Sequence, residues 1–411
     1  MTQILIPKKP DTEVLLETMA EDMQYEIGCS AETLRNTGVD SAMQIKAKQT
    51  PCAPVKLGLC GHCAFNCAYC VCRNGNDRPE YVLEPAQLAQ IAVEVNRKTG
   101  NGVFITSAIY KTPDITQERI AETVRILRQE LGYTGFCHAK VMPGADPALI
   151  AATGRYANRL SVNIEVAKSA TYAKIAKQKS KATILSPMGE ISRQIREAAY
   201  RRTGTYANRQ EKPDFAVSQT TQLMAGAAGE DDRTILNLSD ALYRKYRLKR
   251  VYYTPFTYRY PSKGYEDLPL TQTPYWRVAR LYQADRLTQL YRFAPEELTP
   301  ADAPYLESDI DPKTAWALRH IDLFPVELNT ADYDTLLRIP GIGTTYAARI
   351  MTARWYAPLS FDTLRQMKIS LKRARSFVTC GGKFLGNELD PIGLRMLFSA
   401  PAQMEMGENR K

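Results

Sequence analysis

Val55-Lys-Leu-Gly-Leu-Cys60-Gly-His-Cys63-Ala-Phe-Asn-Cys67-Ala-Tyr69-Cys70-Val-Cys72 joins a short apolar run to five of the chain's nine cysteines. The run Val55–Leu59 reads as a strand, so the thiols sit in the loop that leaves it. No stretch approaches the length of apolar residues that a membrane helix needs. The opening MTQILIPKKPDTEV carries Lys and Asp where a signal peptide needs an apolar run, which gives the expectation of a cytoplasmic protein. In that reducing compartment clustered cysteines speak for metal or redox chemistry rather than for disulfides.

Cys63, Cys67 and Cys70 are spaced C-x-x-x-C-x-x-C. Three thiolates in one short loop can ligate three irons of a 4Fe-4S cube and leave the fourth iron open. Two other readings stay open. Cys60-x-x-Cys63 and Cys67-x-x-Cys70 form two C-x-x-C pairs, although only three residues separate them and zinc ribbons use a dozen or more. An electron-transfer cluster would need a fourth ligand, for which Cys72 or Cys60 is available.

Working outward, short apolar runs alternate with amphipathic stretches from Val55 to about Tyr260, the pattern of repeated strand–helix units. Strands are expected at Val55–Leu59, Val103–Thr106, Gly135–Lys140, Arg159–Ile164, Thr221–Ala225 and Arg250–Pro255. Helices are expected at Pro85–Val95, Thr116–Leu131, Asp146–Ala157, Ile184–Tyr200 and Asp231–Tyr246. The fold class that follows is α/β, an open partial (β/α)6 barrel, followed by a small helical domain. The domain plan is an N-terminal helical cap over 1–50, the barrel over 51–262, a helical extension over 263–325, a helix-hairpin-helix region over 326–385 and a tail over 386–411. At 411 residues such a plan is ordinary. The polar stretch 203–214 reads as a loop.

Leu336-Leu-Arg-Ile-Pro-Gly341-Ile-Gly343-Thr344-Thr-Tyr-Ala347-Ala-Arg-Ile350 reads as helix, tight glycine hairpin, helix. Asn329 is the expected N-cap and Pro340-Gly341 the stop. Gly341 and Gly343 allow backbone N–H groups and the helix start at Thr344 to approach a phosphate without regard to sequence. Ser360–Phe377 reads as a second, degenerate copy. From Ser360 to Leu385 six basic residues (Arg365, Lys368, Lys372, Arg373, Arg375 and Lys383) face one acid, Asp362, which favours a phosphate-facing surface. A second basic run, Lys168–Lys212, holds eleven Lys or Arg against three Glu and reads either as an extension of that track or as a solvated stretch. The net charge of +10 agrees with a polyanionic partner without requiring one.

Cys63, Cys67 and Cys70, with Tyr69 before the last cysteine, resemble the signature of the radical S-adenosylmethionine (SAM) superfamily. The resemblance implies that SAM chelates the open iron and is cleaved by one electron to a 5'-deoxyadenosyl radical, which takes hydrogen from a substrate. It also implies cofactor contacts. Tyr69 flanks the cluster, and Ser107 stands where the family places a Gly-Gly-Glu-like segment. Ser161, Asn163 and Glu165 stand where ribose and carboxylate are held, and Gly226 where backbone meets adenine. Cys137, if it faces the barrel interior, could give hydrogen to a substrate radical. Tyr252, Tyr253 and Tyr258 could line a substrate mouth.

The passages KVMPGADPALI, RLSVNIEVA, SQTTQLMAGAAGEDD, YRKYRLKRVYY, LYQADRL, DPKTAWALRH and VELNTADYDTLLRIPGIG are similar to the radical SAM proteins assigned to DNA modification or repair. Their likeness runs from about Tyr25 to Leu385. It implies DNA as the macromolecular substrate, an electron donor such as flavodoxin or ferredoxin, and a companion related to uracil-DNA glycosylases. A radical SAM enzyme acting on RNA, particularly tRNA, and a non-catalytic iron–sulfur DNA-binding protein are the competing readings.

Overall fold

The computed structural model describes residues 54–76, 80–203, 213–256, 265, 272–369, 371–386 and 390–399. The expected N-terminal cap, Cys29, Cys52, Tyr258, most of the 203–214 loop and the end of the tail lie outside the described residues. The chain divides into two compact units, Met1–Glu230 with Ala241–Thr273, and Asp231–Asp240 with Pro274–Lys411.

In the first unit six strands, β1 (Val55–Gly58), β2 (Val103–Thr106), β3 (Cys137–Lys140), β4 (Arg159–Ser161), β5 (Ser218–Ala225) and β6 (Arg250–Pro255), form one sheet. The order is β1-β2-β3-β4-β5-β6 and every neighbouring pair is parallel. This is the expected open half-barrel. The strands are buried on both faces, as parallel sheets with helical crossovers require. The crossovers are α1 (Pro85–Thr99), α2 (Pro113–Gln129), α3 (Pro147–Tyr156), a short α4 (Ala170–Ile175) with a long α5 (Lys181–Thr203), and α6 (Asp232–Tyr246).

The helix starts are written in the sequence. Proline occupies the first turn of α1, α2 and α3, where its missing N–H costs nothing. Thr112 and Asp146 cap α2 and α3 by accepting from the Ile115 and Ala148 amides at 3.2 and 2.7 Å. The short α4 has no counterpart in the expected plan, and β4 stops at Ser161 rather than at Ile164.

Alternation along the strands separates two faces. Gln219 of β5 donates to the carbonyls of Met188 on α5 and Tyr246 on α6, so its parity faces the helices. His138 of β3 has the other parity. It stacks on Phe104 of β2 with centroids 3.9 Å apart and hydrogen-bonds the Ser161 hydroxyl at 2.9 Å. Burial holds its imidazole well below the ordinary value, so it stays neutral.

The second unit contains α7 (Tyr275–Leu290), α8 (Pro295–Leu298), α9 (Pro312–Arg319), α10 (Tyr333–Arg338), α11 (Thr344–Tyr356), α12 (Phe361–Gln366) and α13 (Pro391–Phe398). It is not wholly helical. β7 (Val326–Glu327), β8 (Val378–Cys380) and β9 (Lys383–Phe384) form a small sheet, parallel between β7 and β8 and antiparallel between β8 and β9. Among the described residues no helix is long and apolar enough to cross a membrane.

Gly154 of α3 tests how tightly the helix layer packs on the barrel. A Cβ there would lie 1.9 Å from the ring of Phe215, which is itself buried. Helix propensity alone favours Gly154→Ala by about 1 kcal/mol, whereas overpacking a fixed core costs about 1–3 kcal/mol. The second effect dominates, so urea unfolding should show Gly154→Ala to be less stable than the wild type.

Candidate cluster loop and C-terminal hairpin

The loop that leaves β1 is held from several sides by backbone bonds. Cys63 N–H donates to Cys72 O at 2.8 Å and closes the loop on itself. Ala108 N–H donates to Cys60 O at 3.0 Å and Ala64 N–H to Ile109 O at 2.8 Å, which fastens the loop to the segment after β2. Ala68 N–H donates to Ile175 O at 2.8 Å, and Asn66 N–H to the Gln178 side chain at 3.4 Å. The strap after α4, residues 175–179, therefore lies along the loop. Tyr265 adds a hydrogen bond from its hydroxyl to Asn66 O.

Inside this frame Cys63 and Cys67 are buried and Cys70 is partly so. Burial pushes the Cys63 thiol up, and Cys70 adds to the shift. Burial likewise pushes Cys67 up to about 12, with Cys70, Glu165 and Cys63 adding to it and Lys179 opposing it. The three thiols are thus close enough for each ionised sulfur to disfavour the others. Cys70 is lowered instead, chiefly by its hydrogen bond with Cys72. Backbone N–H groups of Phe65 and Ile109 point at Cys63 Sγ, each at 3.4 Å. Cys60 is occupied differently, since its thiol donates to His62 O at 2.9 Å. Among the described residues no group of three or more His, Cys, Asp or Glu side chains is placed to hold a metal ion.

Lys179 is the residue that sequence reasoning missed. Its ammonium donates to Glu165 Oε1 at 2.8 Å and to the Tyr69 hydroxyl at 3.0 Å, and stands 5.6 Å from the Tyr69 ring centroid. Burial, with Glu165 nearby, raises the Tyr69 hydroxyl well above its ordinary value. Side-chain exposure is 11% for Lys179 and 6% for Glu165, so this is a buried ion pair. Burial works against the Lys179 charge, but Glu165, Cys67 and Cys70 outweigh it and its pKa is raised. Glu165 has φ +64, a left-handed value rare for a residue with a side chain. Its backbone is pinned there by bonds to Gln222 O at 2.9 Å and from Met224 N–H at 2.7 Å. The reading of Lys168–Lys212 as an exposed basic track fails at this lysine, because its partners are inside the fold.

The other expected positions scatter. Ser107 lies in the segment against the loop, and its hydroxyl donates to Ala108 O at 2.6 Å. Ser161 shares the face of His138, and Asn163 is partly buried beyond the end of β4. Gly226 takes φ +83 at the end of β5, and Glu230 accepts from its N–H at 2.9 Å. Cys137 has the parity of the helix face. Burial raises its thiol to about 12, and Arg128 of α2 and Tyr133 are its charged and ring neighbours. The condition for Cys137 to give hydrogen to a substrate radical, a thiol facing the barrel interior, is therefore not met. Tyr253 is fully buried core, whereas Tyr252 has the opposite parity and is partly buried.

In the second unit a turn joins α10 to α11, and the cap of α10 differs from the expected one. Asp332, not Asn329, caps α10 by accepting from Thr335 N–H at 2.7 Å. Asn329 instead bridges the Leu359 backbone, accepting from its N–H at 2.7 Å and donating to its carbonyl at 3.1 Å. Gly341 takes φ +85, and a Cβ there would stand 3.0 Å from Arg373 Cβ. A Cβ at Gly343 would meet the Tyr291 hydroxyl at 2.9 Å. Both glycines thus answer to contacts within the chain. Thr344 is the first residue of α11, after Gly343 at the N-cap.

The second copy is not a helical hairpin. After α12 the chain makes a turn and one 3-10 turn, Ala374–Ser376, and then enters β8. Phe377 and Val378 are fully buried, and Val326 N–H donates to Phe377 O at 2.9 Å, so sheet pairing outcompetes a second helix. Lys372, Arg373 and Arg375 are exposed there, with Arg373 bound to Asp311 at 2.7 Å.

Lys313 lies under the hairpin. Its ammonium donates to Ile342 O at 2.5 Å and sits 4.9 Å from the Tyr291 ring centroid.

No protein-family model and no curated protein matches the chain. Solved structures similar to it include methylornithine synthase (PylB), at 13% identity and TM-score 0.44 over 80% of this chain and 82% of that one. The FeFe-hydrogenase maturase HydG from Carboxydothermus hydrogenoformans matches at 12% identity and TM-score 0.42, over 67% of this chain and 64% of that one. The radical S-adenosylmethionine methyltransferase TsrM from Kitasatospora setae, with cobalamin and a [4Fe-4S] cluster bound, matches at 12% identity and TM-score 0.35, over 50% and 37%. The chain spans less than two thirds of the length of HydG and of TsrM.

Burial lowers the Lys313 pKa to about 7, Asp311 opposing and Arg338 assisting. An unfolded lysine keeps its proton to about 10.4. Between those values the unfolded chain binds more protons, so stability rises with pH. Thermal melts of the second unit's transition should therefore rise from pH 7 to pH 9, with a smaller rise in Lys313→Met.

Proposed function

We propose that the chain is a radical SAM enzyme acting on DNA, with Cys63, Cys67 and Cys70 as the cluster ligands. The observation that carries this reading is the set of three largely buried thiols on one loop at the C-terminal end of β1, where half-barrels and other parallel α/β sheets place their sites. Among the described residues no group converges on a single metal ion, but a 4Fe-4S cube takes each thiolate on a different iron, and the donors suit it: soft sulfur donors, backbone N–H groups aimed at Cys63 Sγ, and a buried cation nearby. With SAM bound, such a cluster supplies one-electron cleavage to a 5'-deoxyadenosyl radical.

The chain's own residues hold and shield. The strap 175–179 and the segment 107–109 fasten the loop on two sides, and Lys179 ties Tyr69 to Glu165. Glu165, Asn163, Ser161, Ser107 and Gly226 are the positions for SAM contacts. The electron donor in this reading is an external protein of the flavodoxin or ferredoxin type.

DNA is favoured by the α10–α11 hairpin and by the exposed cations Lys372 and Arg375 near it. Gly341, Gly343, Thr344 and Arg373 join that surface. A base stacked in a duplex is out of reach of a half-barrel, so the target is unpaired or flipped, at about a few kcal/mol.

The test is formation of 5'-deoxyadenosine by anaerobically reconstituted full-length protein with SAM and a reductant, alone and with single-stranded DNA, duplex DNA or tRNA. Stimulation by DNA is expected. No 5'-deoxyadenosine under any condition contradicts the enzyme reading, and stimulation by tRNA alone contradicts DNA.

A further inference from the structure

We propose that Lys179 is a positioning residue that holds a fixed positive charge against the cysteine loop and so sets how readily the site accepts an electron. This rests on the cluster reading above.

Three features of the geometry support it. First, the ammonium is buried and committed to two partners on different elements, Tyr69 in the loop and Glu165 beyond β4, so it cannot swing away as a surface lysine does. Second, the strap that carries it is tied to the loop at Ala68 and Asn66, which fixes the distance between charge and sulfur. Third, Glu165 is kept at φ +64, a left-handed conformation that persists only where the surroundings impose it.

A buried ion pair has little net charge, so the question is which partner the thiols feel more. The Lys179 ammonium donates to the loop itself, at the Tyr69 hydroxyl, whereas the Glu165 backbone is bonded to Gln222 and Met224 of β5 and its carboxylate accepts from the ammonium. The cation therefore faces the loop and the carboxylate stands behind it. One electron added at this loop makes it one unit more negative, which a nearby cation favours and a nearby carboxylate opposes. The effective dielectric is low at such a site, so the influence is not screened away by salt.

A structural role alone predicts only lost stability. The charge role predicts opposite signs for the two partners. Full-length wild type, Lys179→Met, Lys179→Arg and Glu165→Gln are reconstituted anaerobically without SAM, analysed for iron and sulfide, and titrated potentiometrically. Wild type and Lys179→Arg should have similar midpoints, Lys179→Met a more negative one and Glu165→Gln a less negative one. Glu165→Gln keeps a neutral hydrogen-bonding partner for Lys179, so it serves even where Lys179→Met folds poorly. Midpoints of Lys179→Met and Glu165→Gln that coincide with wild type overturn the inference while leaving the cluster reading intact. A wild type that retains no iron and sulfide overturns both.

Discussion

Three largely buried thiols crowded into eight residues of one loop pose an electrostatic problem on which the rest of the first unit depends. As thiolates they repel one another, and burial deprives them of the solvation that would offset it. The fold answers with what lies around the loop: N–H groups of Phe65 and Ile109 on Cys63, the strap 175–179, and the Lys179 ammonium. The parallel half-barrel brings these together because β1, β2 and β4 all deliver their C-terminal loops to one end of the sheet.

Much of this scaffold was legible in the sequence, for local reasons. Apolar runs of four to six residues marked β1, β2 and β6, and proline with Thr112 or Asp146 marked helix starts. The cysteine spacing marked the loop. Lys179 was not legible, because its partner Tyr69 lies 110 positions away and nothing in its neighbourhood separates it from the solvated lysines around it. Which face Cys137 takes was not legible, because only neighbours across the helix layer fix the parity of its strand.

In the second unit the missed feature had a visible signal. Gly381 and Gly382, at φ +61 and +71, form the two-residue turn that lets β8 return as β9. Glu327 grips that turn by accepting from both glycine amides at 3.0 Å, and these bonds hold its carboxyl down at about 2 despite partial burial. Charge counting over Ser360–Leu385 drew attention to phosphate binding and away from this hairpin. Asn329 and Asp332 are both good cap residues three positions apart, and only the pairing of Asn329 with Leu359 decides between them.

The central claim is that the loop leaves one iron without a protein ligand. The most direct measurement is the Mössbauer spectrum of protein reconstituted with ⁵⁷Fe, recorded before and after SAM is added. The account predicts one iron site in four that changes when SAM binds, with the other three unmoved. Four equivalent irons indifferent to SAM would contradict it and leave a closed cluster with a fourth cysteine.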